Sequence, residues 1–227
     1  MALLLAVFFQ LSFLVLTLTT GVFGGAALLI LYRTQPRPIV YALQAVTMVA
    51  AATSQAPLLA LVVFCMNLLV WSYLKLEKRP LYQRAIFSVI GASVVYLAAL
   101  FAWSELHLHT DFWAWITQEF DFYIKQSKSL LGNVHFDLDL IVYQLPSFVV
   151  TVFSLNLWLA VLIDSKTQRK IGLMRPTAEI KNFKAPEFFI WIAIGALLFS
   201  FVKTPVPGLQ EAALNVLNVS LLLYFFQ

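Results

Sequence analysis

This sequence encodes an all-α, polytopic transmembrane helix bundle of about six to seven membrane segments, with an external amphipathic helix on the surface. Hydrophobic residues fill 61% of its 227 positions and charged residues 11%, against ~45–50% and ~25% in a soluble domain. The apolar residues gather into runs that can cross a hydrocarbon core of ~30 Å, which takes ~20 helical residues. The charges fall between those runs, and their sign alternates from one gap to the next. The mean hydropathy of +0.86 agrees. Such a chain cannot cover itself with polar side chains. That excludes a soluble enzyme, a nucleic-acid-binding domain, a coiled coil and a disordered chain. The net charge of +4 is no nucleic-acid footprint, because the basic residues sit beside apolar runs rather than in one solvated patch. The single cysteine, Cys65, lies in an apolar run, so no intrachain disulfide or cysteine zinc site can form.

The first apolar stretch, Ala2 to Tyr32, carries no charge. It is long for one span and short for two. Thr17, Thr19, Thr20 and Gly21 interrupt it, which predicts two short paired segments, Ala2–Thr17 and Thr20–Tyr32; one long tilted helix is the rival reading. Arg33, Pro36, Arg37 and Pro38 end the run. Ile39–Ala52 is rich in small residues, as an interior helix would be. Leu58–Leu74 and Ala85–Trp103 are strong spans. Leu140–Ile163 is a span interrupted by Pro146, Phe188–Val202 is another, and Ala212–Phe226 is the last. No polar tail follows Gln227, so the natural C-terminus is expected further on. The whole chain, 1–227, reads as a single integral membrane domain.

Between Glu105 and Asp139 the character changes. Phe112, Ile116, Phe120 and Tyr123 recur at helical spacing, Asp111 precedes them, and Lys125 and Lys128 close the stretch before Gly132-Asn133. Acid first and base last suits a helix macrodipole. With Trp113 and Trp115 this reads as an interfacial helix. Charge then sets the orientation. Lys75–Arg84 holds four basic residues and one acid, Lys166–Lys184 six and one, and Glu105–Asp139 six acids and two bases. Lysine and arginine stay on the cytoplasmic side. Residues 105–139 are therefore expected outside and the basic loop at 164–187 inside.

No ionisable residue lies deep in an expected span, which argues against a proton-coupled pump or a voltage sensor. The polar residues within spans are neutral: Gln10, Gln44, Asn67, Gln144, Asn156, Asn215 and Asn218. In lipid such groups hydrogen-bond across helices at ~0.6 kcal/mol each. The sharper reading makes Gln44, Asn67, Gln144 and Asn156 the lining of a pocket for a small polar solute. His107, His109 and Asp111, with His135, Asp137 and Asp139, have an alternating spacing that would align metal ligands on extended strands. A solvated acidic loop explains them as well, so no metal and no cofactor is expected. Gly21-x-x-x-Gly25 and Ala2-x-x-x-Ala6 would make flat helix faces for close packing. There is no Walker motif, no nucleophile with its base and no intramembrane carboxylate pair, so no catalytic residue and no enzyme is expected.

Leu29–Arg33, Leu145-Pro146-Ser147-Phe148, Pro186–Trp191, Asn215 with Asn218, and Leu223–Gln227 together resemble the YybS-like family of predicted bacterial integral membrane proteins. More distantly, Ala2-x-x-x-Ala6 and the short early helices are similar to the substrate-binding subunits of energy-coupling-factor transporters. The resemblance implies a transport-type subunit that binds a small solute, lacks its own energy source and docks on other membrane protein subunits. The long acidic segment departs from that pattern, and no functional residue carries over. The alternative is a non-catalytic component of a membrane assembly. The expected partners are the lipid bilayer and further membrane subunits, with no nucleic acid.

Overall fold

The computed structural model describes residues 2–20, 24–53, 57–126, 138–171, 186–201 and 208–225. Every regular element among these residues is helical: α1 (Ala2–Thr20), α2 (Gly24–Thr34), α3 (Arg37–Ala52), α4 (Pro57–Lys75), α5 (Leu81–Trp103), a π turn (Ser104–Leu108), α6 (Phe112–Gln126), α7 (Leu138–Tyr143), α8 (Leu145–Ile171), α9 (Phe188–Phe201) and α10 (Leu209–Phe225). Three are long and apolar enough to cross a membrane: Leu58–Lys75, Leu81–Leu106 and Leu145–Ser165. Leu3–Val15, Arg37–Ala52 and Phe188–Phe201 are shorter apolar helices. Large apolar side chains such as Leu4, Phe8, Trp191 and Phe201 stand exposed. In water they would form an aggregating surface; in lipid they are the surface that meets acyl chains.

The chain divides into two compact units, one of residues 1–96, 150–185 and 226–227, the other of residues 97–149 and 186–225. In the first unit α2 is the central helix. Its residues Gly24–Leu31 are all buried. A Cβ on Gly24 would stand 1.9 Å from Thr17 Oγ1 and 3.1 Å from the Phe13 carbonyl of α1. A Cβ on Gly25 would stand 3.1 Å from the Asn156 carbonyl of α8. The two glycines thus let α2 approach a neighbour on each side. Phe13, Leu28, Leu29, Leu31, Met66 and Leu69 fill the core. In the second unit α9 and α10 pair, and α7 packs on both α6 and α10.

The early run forms two helices, as the threonines suggested. The first ends at Thr20 and the second starts at Gly24, a few residues later than expected. Pro146 sits in the first turn of α8, where a missing N–H costs nothing. The break therefore falls just before it, at Gln144. Asp164–Ile171 is not loop but the end of α8. Lys166, Gln168, Arg169 and Lys170 are good helix formers, and cations suit a helix C-terminus. The interfacial segment is helical over Phe112–Gln126. Asp111 caps it, its Oδ1 accepting the Ala114 N–H at 3.0 Å. Residues 104–108 make a π turn and His109 is left-handed with φ 51°. His107 and His109 are therefore not aligned on an extended strand. Several expectations lie outside the described residues: those on Gly21, Lys128, Gly132, Asn133, His135, Asp137, Arg175, Glu179, Lys181, Lys184, Pro205, Pro207 and Gln227.

Candidate functional site

Four helices of the first unit bring neutral polar side chains to one buried point. Gln10 comes from α1, Tyr32 from α2, Gln44 and Thr47 from α3, and Asn67 from α4. Gln44 and Thr47 lie three residues apart, so they share a helix face. The Gln44 amide donates to Gln10 Oε1 at 2.6 Å, and the Gln10 amide donates to Thr47 Oγ1 at 2.7 Å and to Gln44 Oε1 at 3.4 Å. The Asn67 amide donates to Gln44 Oε1 and to the Val63 carbonyl, both at 2.8 Å. The Tyr32 hydroxyl donates to Asn67 Oδ1 at 3.1 Å. Gln10, Gln44, Thr47 and Asn67 are buried, and Tyr32 is half-buried. Tyr41 meets the Tyr32 ring edge-on at 6.4 Å between centroids.

Of the four residues expected to line a pocket, Gln44 and Asn67 meet in this cluster. Asn156 is fully buried on α8, and its amide donates to the Val152 carbonyl of its own helix at 3.0 Å. Gln144 belongs to the second unit. Its backbone carbonyl accepts the Phe148 N–H and the Ser147 hydroxyl at the start of α8. Gln10, Thr47 and Tyr32 had not been chosen as site residues. The pairing of Gln44 with Thr47 on one face was a signal for the second of them. Nothing local tied Gln10 to the site, because its partners are 34 and 37 positions away.

A charged layer closes one end of the same unit. Arg33 Nε stands 2.8 Å from Asp164 Oδ2, and Arg33 Nη1 stands 3.6 Å from Glu77 Oε1. Arg84 is buried, its guanidinium 4.1 Å above the Tyr73 ring and its Nε donating to the Tyr73 carbonyl. That carbonyl lies in the last turn of α4, where helical donors run out. Asp164, read from sequence as part of a solvated basic loop, is in fact held inside by Arg33.

No group of three or more histidine, cysteine, aspartate or glutamate side chains that could hold a metal occurs among the described residues. A family model described as "Predicted membrane protein (DUF2232)" matches residues 1–227. No curated protein and no solved structure matches the chain.

Proposed function

We propose that this chain, which belongs to the DUF2232 family of predicted membrane proteins, is a transport-type subunit of the bacterial cytoplasmic membrane that binds a small solute and takes its energy from a partner. The observation that carries the reading is the convergence of Gln10, Tyr32, Gln44, Thr47 and Asn67 from four helices at one place inside the first unit. Asn67 and Thr47 also donate to carbonyls of their own helices, but the bonds among the side chains can be exchanged for bonds to a guest. The groups are all neutral, so the guest is an uncharged molecule with both donors and acceptors. The resemblance to YybS-like proteins, and more distantly to energy-coupling-factor subunits, points the same way. The test is to purify the protein in mild detergent and extract what it carries. A small molecule retained near one per chain, and lost in Gln44→Leu and Asn67→Leu, is the expected result. Its absence from the wild type would sink the reading.

One observation favours the other reading, a non-catalytic component of a membrane assembly. The cluster is closed: every amide nitrogen and oxygen of Gln10, Gln44 and Asn67 already has a partner. A solute would have to replace bonds that exist, so binding would be coupled to movement of α1, α3 and α4. If the cluster is only glue, the purified protein carries no solute and instead recovers a stoichiometric protein partner.

A further inference from the structure

Among its described residues the first unit exposes more cations than acids. Among its described residues the only acids are Glu77 and Asp164, and both face Arg33. Arg37, Lys75, Lys78 and Arg79 are all exposed. Among the described residues no ion pair engages any of these four cations. Lys75 lies instead over the Trp71 ring, 5.6 Å from its centroid, and Trp71 is 40% exposed. Residues 76–80 join Leu58–Lys75 to Leu81–Leu106, two helices of membrane-spanning length. A connection between two such helices falls at the headgroup level, where an indole also settles. Arg37 opens α3, the end at which a helix dipole disfavours a cation.

We infer that Arg37, Lys75, Lys78 and Arg79, with Trp71 at the apolar boundary, form a contact surface for anionic phospholipid headgroups. Asp164 is buried against Arg33, and the four exposed cations outweigh Glu77, the one exposed acid described in this unit, toward a phosphodiester layer. Each contributes a similar increment near an anionic surface, and salt screens it. The inference is independent of any solute bound in the interior.

The experiment uses the full chain in neutral detergent. Phosphatidylglycerol and phosphatidylcholine are titrated in parallel, and retained lipid is counted by native mass spectrometry. The wild type is expected to retain phosphatidylglycerol preferentially, less so at high salt. Each substitution among Arg37→Gln, Lys75→Gln, Lys78→Gln and Arg79→Gln should weaken that retention about fivefold. Lys125→Gln, on α6, should not change it. Equal retention of the two lipids, salt-independent retention, or unchanged retention in the four variants would overturn the inference. So would displacement of phosphatidylglycerol by millimolar inorganic phosphate, which would mark a site for the free anion. Wild-type salt dependence alone decides the matter should a variant fail to fold.

Discussion

Gly24 and Gly91 carry the same side chain in very different settings. A Cβ at Gly24 would overlap Thr17 Oγ1 at 1.9 Å, whereas one at Gly91 meets nothing within 4 Å. Overpacking a tight contact costs ~1–3 kcal/mol, while alanine in an open helix interior gains ~0.5–1 kcal/mol over glycine. Gly24→Ala should therefore lower the midpoint of thermal unfolding in detergent and Gly91→Ala should hold or raise it. Thr17→Ala combined with Gly24→Ala should recover part of the loss, because the clashing hydroxyl is gone. If the two single variants melt alike, the close approach of α1 and α2 is wrong. Arg33 poses a similar question of electrostatics. Its partner Asp164 has a side chain only 10% exposed, against 22% for Arg33. Removing one partner of a fully buried pair costs ~3–5 kcal/mol, and partial exposure lowers this to about 2 kcal/mol here. Arg33→Gln and Asp164→Asn should each destabilise, and the double variant should lose less than the two combined. Strict additivity in that cycle would show that the pair does not couple.

Helix α8 shows how one side chain can repair an element. In an unbroken helix the Ser147 N–H would bond the Tyr143 carbonyl, four residues back. The chain breaks at Gln144 and that bond is missing. Asn215 of α10 fills the gap: its Oδ1 accepts the Ser147 N–H at 3.0 Å and its amide donates to the Tyr143 carbonyl at 2.7 Å. The amide stands in for the lost rung, and it ties α10 to the α7–α8 corner. Asn215→Leu leaves both backbone groups without this bridge, at ~1–3 kcal/mol. Faster hydrogen exchange at the Ser147 amide, together with a lower unfolding midpoint, is the expected outcome; unchanged protection there would refute the bridging role. Asn215 itself was legible in the sequence as a neutral polar residue within an apolar run. Its partner was not, because the break at Gln144 depends on where the Pro146 ring seats within a helix. The same divide runs through the candidate site. Hydropathy and turn residues located most helix ends to within a few positions, the continuation of α8 over Asp164–Ile171 being the exception. Gln44 and Asn67 stood out as polar residues in lipid, and they do meet. Gln10 joined them only because α1 packs beside α3, a contact between segments far apart in sequence. Asp164 was misjudged for the same reason, since it is paired with Arg33 of α2, far away in sequence.

For the molecule as a whole, the alternation of charge sign is an argument about which side of the bilayer each segment faces. Lys75–Arg84 carries four bases to one acid, and that acid, Glu77, is turned toward Arg33. Glu77 is nevertheless exposed, so the segment presents Lys75, Lys78 and Arg79 against one acid, a positive balance that agrees with the cytoplasmic side expected from counting. Glu105–Asp139 has the opposite balance, with Lys125 further offset by Asp121 one helical turn away. The chain offers a direct way to test this. Its one cysteine, Cys65, is buried, so intact protein should react little with a membrane-impermeant maleimide. A new cysteine at Lys78 or Glu119, both exposed, then reports its own side, with Cys65→Ala as background. Glu119→Cys should label in intact bacterial cells. Lys78→Cys should label only after permeabilisation, because the energetic preference for cytoplasmic lysine and arginine acts on the short loops flanking each span. Labelling of Lys78→Cys from outside would reverse the orientation, and labelling of both sites from the same side would mean that the apolar stretch from Leu81 to Leu106 does not cross.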